Sequence, residues 1–159
     1  MSKKLIWTIV AVIAVVAVLA VAIVFLNPKV ENVEGTLTDL MAKVYGEIPA
    51  EELPMMLGDM PIDSESAEYF LGTADVSFKE ALANEPMISS IAHSVVLVRL
   101  NDARDAKDAV EKIKTSVNPS KWLCATASKV IVESRGDLVI LIMSSEELAP
   151  KLEANFKNL

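Results

Sequence analysis

Three groups of residues in this chain carry side chains suited to chemistry. Asp59, Asp63, Glu65 and Glu68 form its densest acidic cluster. Calcium binding would need several of those oxygens converging on one point, as a D-x-D-x-D-G loop with its closing glutamate arranges. The spacing lacks that loop, and helix capping plus a solvated face accounts for the four acids. His93 is the only histidine. It rules out a histidine-rich zinc site and a two-histidine mechanism. A Ser-His-Asp arrangement is formally open, but no G-x-S-x-G or similar nucleophile context accompanies it, so a structural or surface role is the expectation. Met41, Met55, Met56, Met60 and Met87 offer soft thioether ligands of the kind copper accepts. They follow no regular repeat and are expected to fill gaps in an irregular core. Cys124, after Trp122 and Leu123, reads as an inert buried thiol. There is no glycine-rich phosphate loop and no basic–aromatic patch for nucleic acid. No catalytic, cofactor-binding or metal-ligating residue is therefore assigned, and no cofactor is expected.

The stretch that positions everything else is Leu5 to Leu26, 22 residues without a charged side chain. As a helix rising about 1.5 Å per residue it would reach roughly 33 Å, enough to cross a hydrocarbon core of about 30 Å. Inside lipid a helix keeps every backbone polar group paired. Lys3 and Lys4 precede the stretch, whereas Lys29 follows it beside Glu31 and Glu34. The positive-inside rule then expects residues 1–4 as a cytoplasmic tail, 5–26 as a transmembrane signal-anchor, and the rest outside. A cleavable signal peptide is the rival, since Ala20-Val21-Ala22 has the small-x-small form. The apolar run continues through Leu26, however, so no polar segment precedes such a cut. The only cysteine, Cys124, is far from any lipidation position.

The formal charge is −7 over 159 residues. Residues 30–85 hold 13 acids and 2 bases, while residues 86–159 hold 9 acids and 10 bases. An acidic exterior is repelled by nucleic acid and by anionic lipid, which excludes both as partners of the domain surface. A single cysteine means no internal disulfide. Residues 27–35 read as a polar linker around Pro28 and Gly35, and residues 36–159 as one extracytoplasmic domain large enough for a core.

Within that domain Leu37, Leu40, Met41, Val44 and Tyr45 have helical spacing, with Thr36 or Thr38 as cap and Gly46 as stop. Residues 50–57 are expected as a turn or two of helix. A further helix starts at Asp63 or Ser64 and ends at Gly72, burying Tyr69, Phe70 and Leu71. Val76, Phe78, Ala81 and Leu82 suggest another short helix before Pro86. After Met87 the order becomes strand (91–100), helix (to about 116), strand (127–133), strand (138–143) and helix from Ser145. Leu138–Met143 is apolar throughout, which suits a central strand covered on both faces. Ser134-Arg135-Gly136-Asp137 reads as a hairpin turn. The expected fold class is α+β: a transmembrane helix, N-terminal helices, and a β-α-β-β-α unit with a small mixed three-stranded sheet, half of a ferredoxin-like fold.

Tyr45-Gly46-Glu47, then Glu85-Pro86-Met87-Ile88-Ser89 with His93, then Gly136-Asp137 leading into an apolar strand, resemble a bacterial family of membrane-tethered or lipid-anchored extracytoplasmic domains of unknown function. The likeness covers about residues 36–143. It implies an exported bacterial domain and supplies no activity. The expectation is a membrane-anchored interaction module, held in the bilayer by residues 5–26 and binding an envelope protein partner. An envelope hydrolase or a small-ligand sensor, with a site near residues 59–68 and His93, is the alternative. Protease added to intact cells should remove the domain. Protection until lysis would reverse the expected orientation.

Overall fold

The computed structural model describes residues 32–88 and 90–159. The expected tail (1–4), span (5–26) and the first part of the linker (27–31) lie outside the described residues. Among the described residues no helix is long and apolar enough to cross a membrane.

Helix α1 (Leu37–Tyr45) forms where the apolar spacing is helical. Thr36 caps it by accepting from the Asp39 amide at 3.2 Å, and Gly46 ends it with its own amide on the Ala42 carbonyl. Five strands follow in the sequence: β1 (Leu57–Ile62), β2 (Phe78–Pro86), β3 (Ser94–Leu100), β4 (Lys129–Arg135) and β5 (Leu138–Ser144). Helix α2 (Ala67–Leu71) lies between β1 and β2, α3 (Ala106–Ser116) between β3 and β4, and α4 (Ala149–Lys157) after β5. The sheet order is β1-β2-β3-β5-β4, and every neighbouring pair is antiparallel.

This corrects the expected three-stranded mixed sheet. The two additional strands are β1 and β2, in a region expected to be helical or irregular. β2 reads Phe-Lys-Glu-Ala-Leu-Ala-Asn-Glu-Pro, whose Ala, Leu, Lys and Glu are good helix formers. Pairing with β3 over a long register overrides that propensity. β1 contains Gly58, Asp59 and Pro61, residues depleted from strands. It is tolerated because β1 is an edge, where a proline need not donate to a neighbour.

β3 and β5 are buried at every position. Their alternate side chains feed two separate cores. On one face Ala81, Ala83, Val96, Val98, Leu141 and Met143 pack with Phe70 and Leu71 of α2 and Ile113 of α3. On the other, Leu82, Val95, Leu97, Ile140 and Ile142 pack with Leu40 and Val44 of α1 and Leu152 and Phe156 of α4. α2 is held against the end of α3 at Gly72, whose φ of 77° and close approach to the Ser116 carbonyl leave no space for a Cβ.

The chain enters this sheet through a charged clamp. Arg99, at the end of β3, donates from Nη1 to the Val33 carbonyl at 2.7 Å and to Asp137 Oδ2 at 3.0 Å. Its Nη2 donates to the Gly35 carbonyl at 2.8 Å and its Nε to Glu80 Oε1 at 2.9 Å. Asp137 Oδ1 in turn accepts from the Val33 amide at 3.0 Å. Asp137 therefore does more than complete the turn expected at residues 134–137. The second half of the expected linker is fixed to the domain by these bonds. The Arg99 and Asp137 side chains are each 9% exposed, so removing one strands a buried charge. Arg99→Leu should lower the unfolding free energy by about 3–5 kcal/mol, the usual result of breaking a buried pair from one side. Urea unfolding would measure it, and a loss below about 1 kcal/mol would mark the clamp as no more than a surface contact.

Candidate functional site at the far end of the strands

The opposite end of the sheet, where β1 and β3 begin and β2 and β5 end, concentrates polar groups. Five residues of β3 separate it from Arg99, about 17 Å at strand rise. His93 immediately precedes β3 and is 1% exposed. Its Nε2 lies 2.8 Å from the Tyr45 hydroxyl at the end of α1, and its Nδ1 lies 2.8 Å from Ser144 Oγ at the end of β5. Three elements are thus joined through one imidazole. Burial holds the His93 pKa down at about 4, so the ring is neutral near pH 7. Burial also raises the Tyr45 phenol, and the nearby Asp59 and Glu85 carboxylates add to the shift. Both groups therefore stay uncharged. In a neutral ring one nitrogen donates and the other accepts, which suits a chain of hydroxyl, imidazole and hydroxyl.

Next to this chain, Asn84 on β2 donates to Asp59 Oδ1 on β1 at 2.6 Å, while its own Oδ1 is buried without a partner. On the other face Glu85 pairs with Lys121, and the two side chains are 6% and 5% exposed. Burial lowers the Lys121 pKa, and Glu85 offsets part of that. Ser94, at the start of β3, is fully buried and its hydroxyl has no partner.

The expected acidic cluster is divided by the fold. Asp63 Oδ1 accepts from the Ser66 hydroxyl at 2.7 Å, the Ser66 amide at 2.9 Å and the Glu65 amide at 3.1 Å. Those bonds, chiefly from the Ser66 side chain, hold its carboxyl below the usual range. It organises the entry to α2. Glu65 and Glu68 are exposed there, and only Asp59 reaches the polar end. Among the described residues no group of three or more His, Cys, Asp or Glu side chains is placed to hold a metal. His93 and Ser144 are in contact, but Ser144 is 2% exposed, so its hydroxyl is not presented to a substrate.

Above the polar groups lies an apolar rim. Met55, Met56, Tyr69, Met87, Ile88 and Leu123 are 72%, 60%, 55%, 78%, 36% and 87% exposed. The Met87 amide donates to the Met56 carbonyl at 3.0 Å, tying the start of β1 to the end of β2. Tyr69 and Leu123 flank Lys121, by ring contact and by sequence. Several expectations are corrected here. Of the five methionines expected to fill the core, Met41 is in the core, Met60 packs partly buried against it, and Met55, Met56 and Met87 face solvent. Tyr69, expected to be buried with Phe70 and Leu71, is exposed, and so is the thiol of Cys124. Glu51, Glu52, Asp59 and Glu68 are exposed near Met55, Met56 and Tyr69 in the sequence, and Glu52 pairs with Lys151.

Sequence reasoning picked out His93 and Asp59 but missed Tyr45, Asn84, Glu85, Lys121 and Ser144 as a set. The one local signal was a charged residue beside large apolar neighbours, as at Lys121-Trp122-Leu123. In comparisons with known proteins, no family model, no curated protein and no solved structure matches the chain.

The His93 shift fixes a pH dependence. The unfolded ring takes a proton below about pH 6.5, and the folded ring only near 4. Unfolding is therefore favoured as pH falls through that window, by about 3 kcal/mol when it is complete. The stability is fully present above about pH 6.5. His93→Gln should be less stable at neutral pH and lose less on acidification than the parent. Equal acid sensitivity in urea titrations of the two proteins would assign the effect to other groups.

Proposed function

We propose that this protein is a membrane-attached interaction module, held at the bilayer through the apolar segment 5–26, whose domain docks an extracytoplasmic envelope protein on the rim at the far end of its strands. The observation that carries the reading is the gathering of the exposed large apolar side chains at one end. Scattered apolar residues are ordinary on a protein surface, whereas a gathered patch with a polar border marks a docking site. The opposite end is occupied by the chain's own entry at Val33 and Gly35, and there Arg135 also binds the Lys157 carbonyl. The rim is left free of these connections.

The chemistry of the partner follows from the border. The rim carries methionines, which adapt to the shape of an apolar insert. The exposed acids next to its residues in the sequence, Glu51, Asp59 and Glu68, favour a positive contact and repel a negative one. The partner surface is accordingly an apolar centre ringed by lysine or arginine. Underneath, the Tyr45–His93–Ser144 chain ties α1, β3 and β5 together, so the rim rests on a fixed base.

A photo-crosslinking residue placed at Met87 or Leu123 in the full-length chain should give one heterologous adduct in intact cells. The same residue at Lys107, on α3, should not. Mass spectrometry of the adduct should locate it in an apolar, base-flanked segment of an envelope protein, and Leu123→Glu should abolish the Met87 adduct without changing thermal stability. An adduct at twice the chain's own mass would mean self-association instead. Equal labelling from Lys107, or no adduct at either rim position, would overturn the reading.

A further inference from the structure

Among the described residues, Lys121 is the one ammonium enclosed by aromatic rings. Its Nζ lies 4.6 Å from the Tyr69 ring centre, 4.8 Å from Phe70 and 5.2 Å from Trp122, while Glu85 supplies the countercharge. Tyr69 and Phe70 meet edge to face, with centres 4.9 Å apart and planes at 88°. Three ring faces or edges and a carboxylate around one cation is the arrangement by which proteins recognise ammonium ligands. The enclosure is assembled from separate elements: α2 supplies two rings, β2 the carboxylate, and the stretch 117–128 the third ring and the lysine. That stretch contains neither helix nor strand. It is closed on itself by the Ala127 amide on the Pro119 carbonyl at 2.9 Å and by the Ser120 and Thr126 hydroxyls at 3.0 Å.

Two features separate this from an ordinary buried ion pair. First, the seat offers more than Lys121 uses. Continuing the β2–β3 register one step past Asn84 and Val95 sets Ser94 opposite Glu85, on the face that also carries Ala83 and Val96. The Ser94 hydroxyl is fully buried and unpartnered, so a polar group with spare hydrogen-bonding capacity sits on the strand next to the one that carries Glu85. Second, the seat adjoins the rim. Glu85 is two residues from Met87, Tyr69 belongs to the rim, and Leu123 follows Lys121 by two residues.

We propose that Tyr69, Phe70, Trp122 and Glu85 form a recognition seat for an ammonium side chain, which Lys121 fills in the unbound domain and a lysine of the docking partner takes over. This deepens the docking reading above and rests on it for the partner. The exchange leaves Glu85 paired throughout, which avoids the large cost of an uncompensated buried carboxylate. Lys121 regains the hydration that burial denies it. Its four-carbon stem lets the ammonium leave by side-chain torsions while Trp122 stays in place. A partner lacking a lysine at that point would have no access to the seat, so the exchange selects among basic surfaces.

Tetramethylammonium tests the seat without any partner. In the full-length chain in non-ionic detergent, acetic anhydride should modify Lys121 far more slowly than the exposed Lys79. Tetramethylammonium chloride should raise the Lys121-to-Lys79 ratio several-fold by displacing the lysine, and sodium chloride at equal ionic strength should not. An unchanged ratio, or an equal rise in both salts, overturns the proposal. A second arm uses Lys121→Ala in a Trp7→Phe background, where Trp122 is the only indole. Tetramethylammonium should then shift Trp122 fluorescence saturably, and adding Glu85→Gln should remove the response. A folded Lys121→Ala protein without a saturable shift also overturns it. If that variant does not fold, the acetylation ratio decides. Because neither arm involves the partner, the seat can fail while rim crosslinking succeeds, and the reverse.

Discussion

The fold depends on β3 and β5 being apolar on both faces. A strand buried on one face alternates, but Ser94–Leu100 and Leu138–Ser144 present buried side chains in both directions. Such a pair is stable only between two layers. α1 and α4 supply one and α2 and α3 the other. The same constraint displaces polar groups to the strand ends, where the backbone ladder stops. Arg99 and Asp137 collect at one end, and His93, Ser94 and Ser144 at the other. The polar chemistry of the molecule is therefore segregated into two poles by the demands of its centre.

Local signals made part of this legible. The spacing of Leu37, Leu40, Met41 and Val44, with a threonine before and a glycine after, specifies α1 without tertiary information. Leu148, Leu152 and Phe156 do the same for α4. Leu138–Met143 reads as a strand covered on both sides because no polar residue interrupts it. β1 and β2 carry no such signal, so the sequence points to three strands where the fold has five. Their sequences carry glycine, prolines, alanines and charges whose local preferences point away from a strand. What makes them strands is a partner further along the chain, and pairing of that kind leaves no periodic trace.

The candidate site shows the same limit more sharply. Tyr45, His93 and Ser144 are separated by 48 and 51 positions and form one hydrogen-bonded chain. Nothing in their neighbours announces it. Cys124 and the exposed methionines illustrate the opposite failure. Their types are usually buried, so composition assigned them to the core, and the fold instead leaves Met55, Met56 and Met87 at strand termini where no helix covers them. Lys121 gives no signal in the sequence because a lone lysine is ordinarily a solvated one. Its environment comes from α2 and β2, both distant in sequence.

The clamp at Arg99 also has a mechanical consequence. Val33 and Gly35 are gripped through their main-chain carbonyls, and the grip is on β3, the middle strand of the sheet order. Tension arriving along the chain ahead of Val33 reaches the guanidinium before it reaches α1 or either edge strand. The load is delivered to the best-buried strand and shared with Asp137 on the hairpin and Glu80 on β2. An edge attachment would unzip one ladder bond at a time. This attachment behaves as a rivet, so the domain resists pulling at its weakest-looking stretch, a loop with no regular structure of its own.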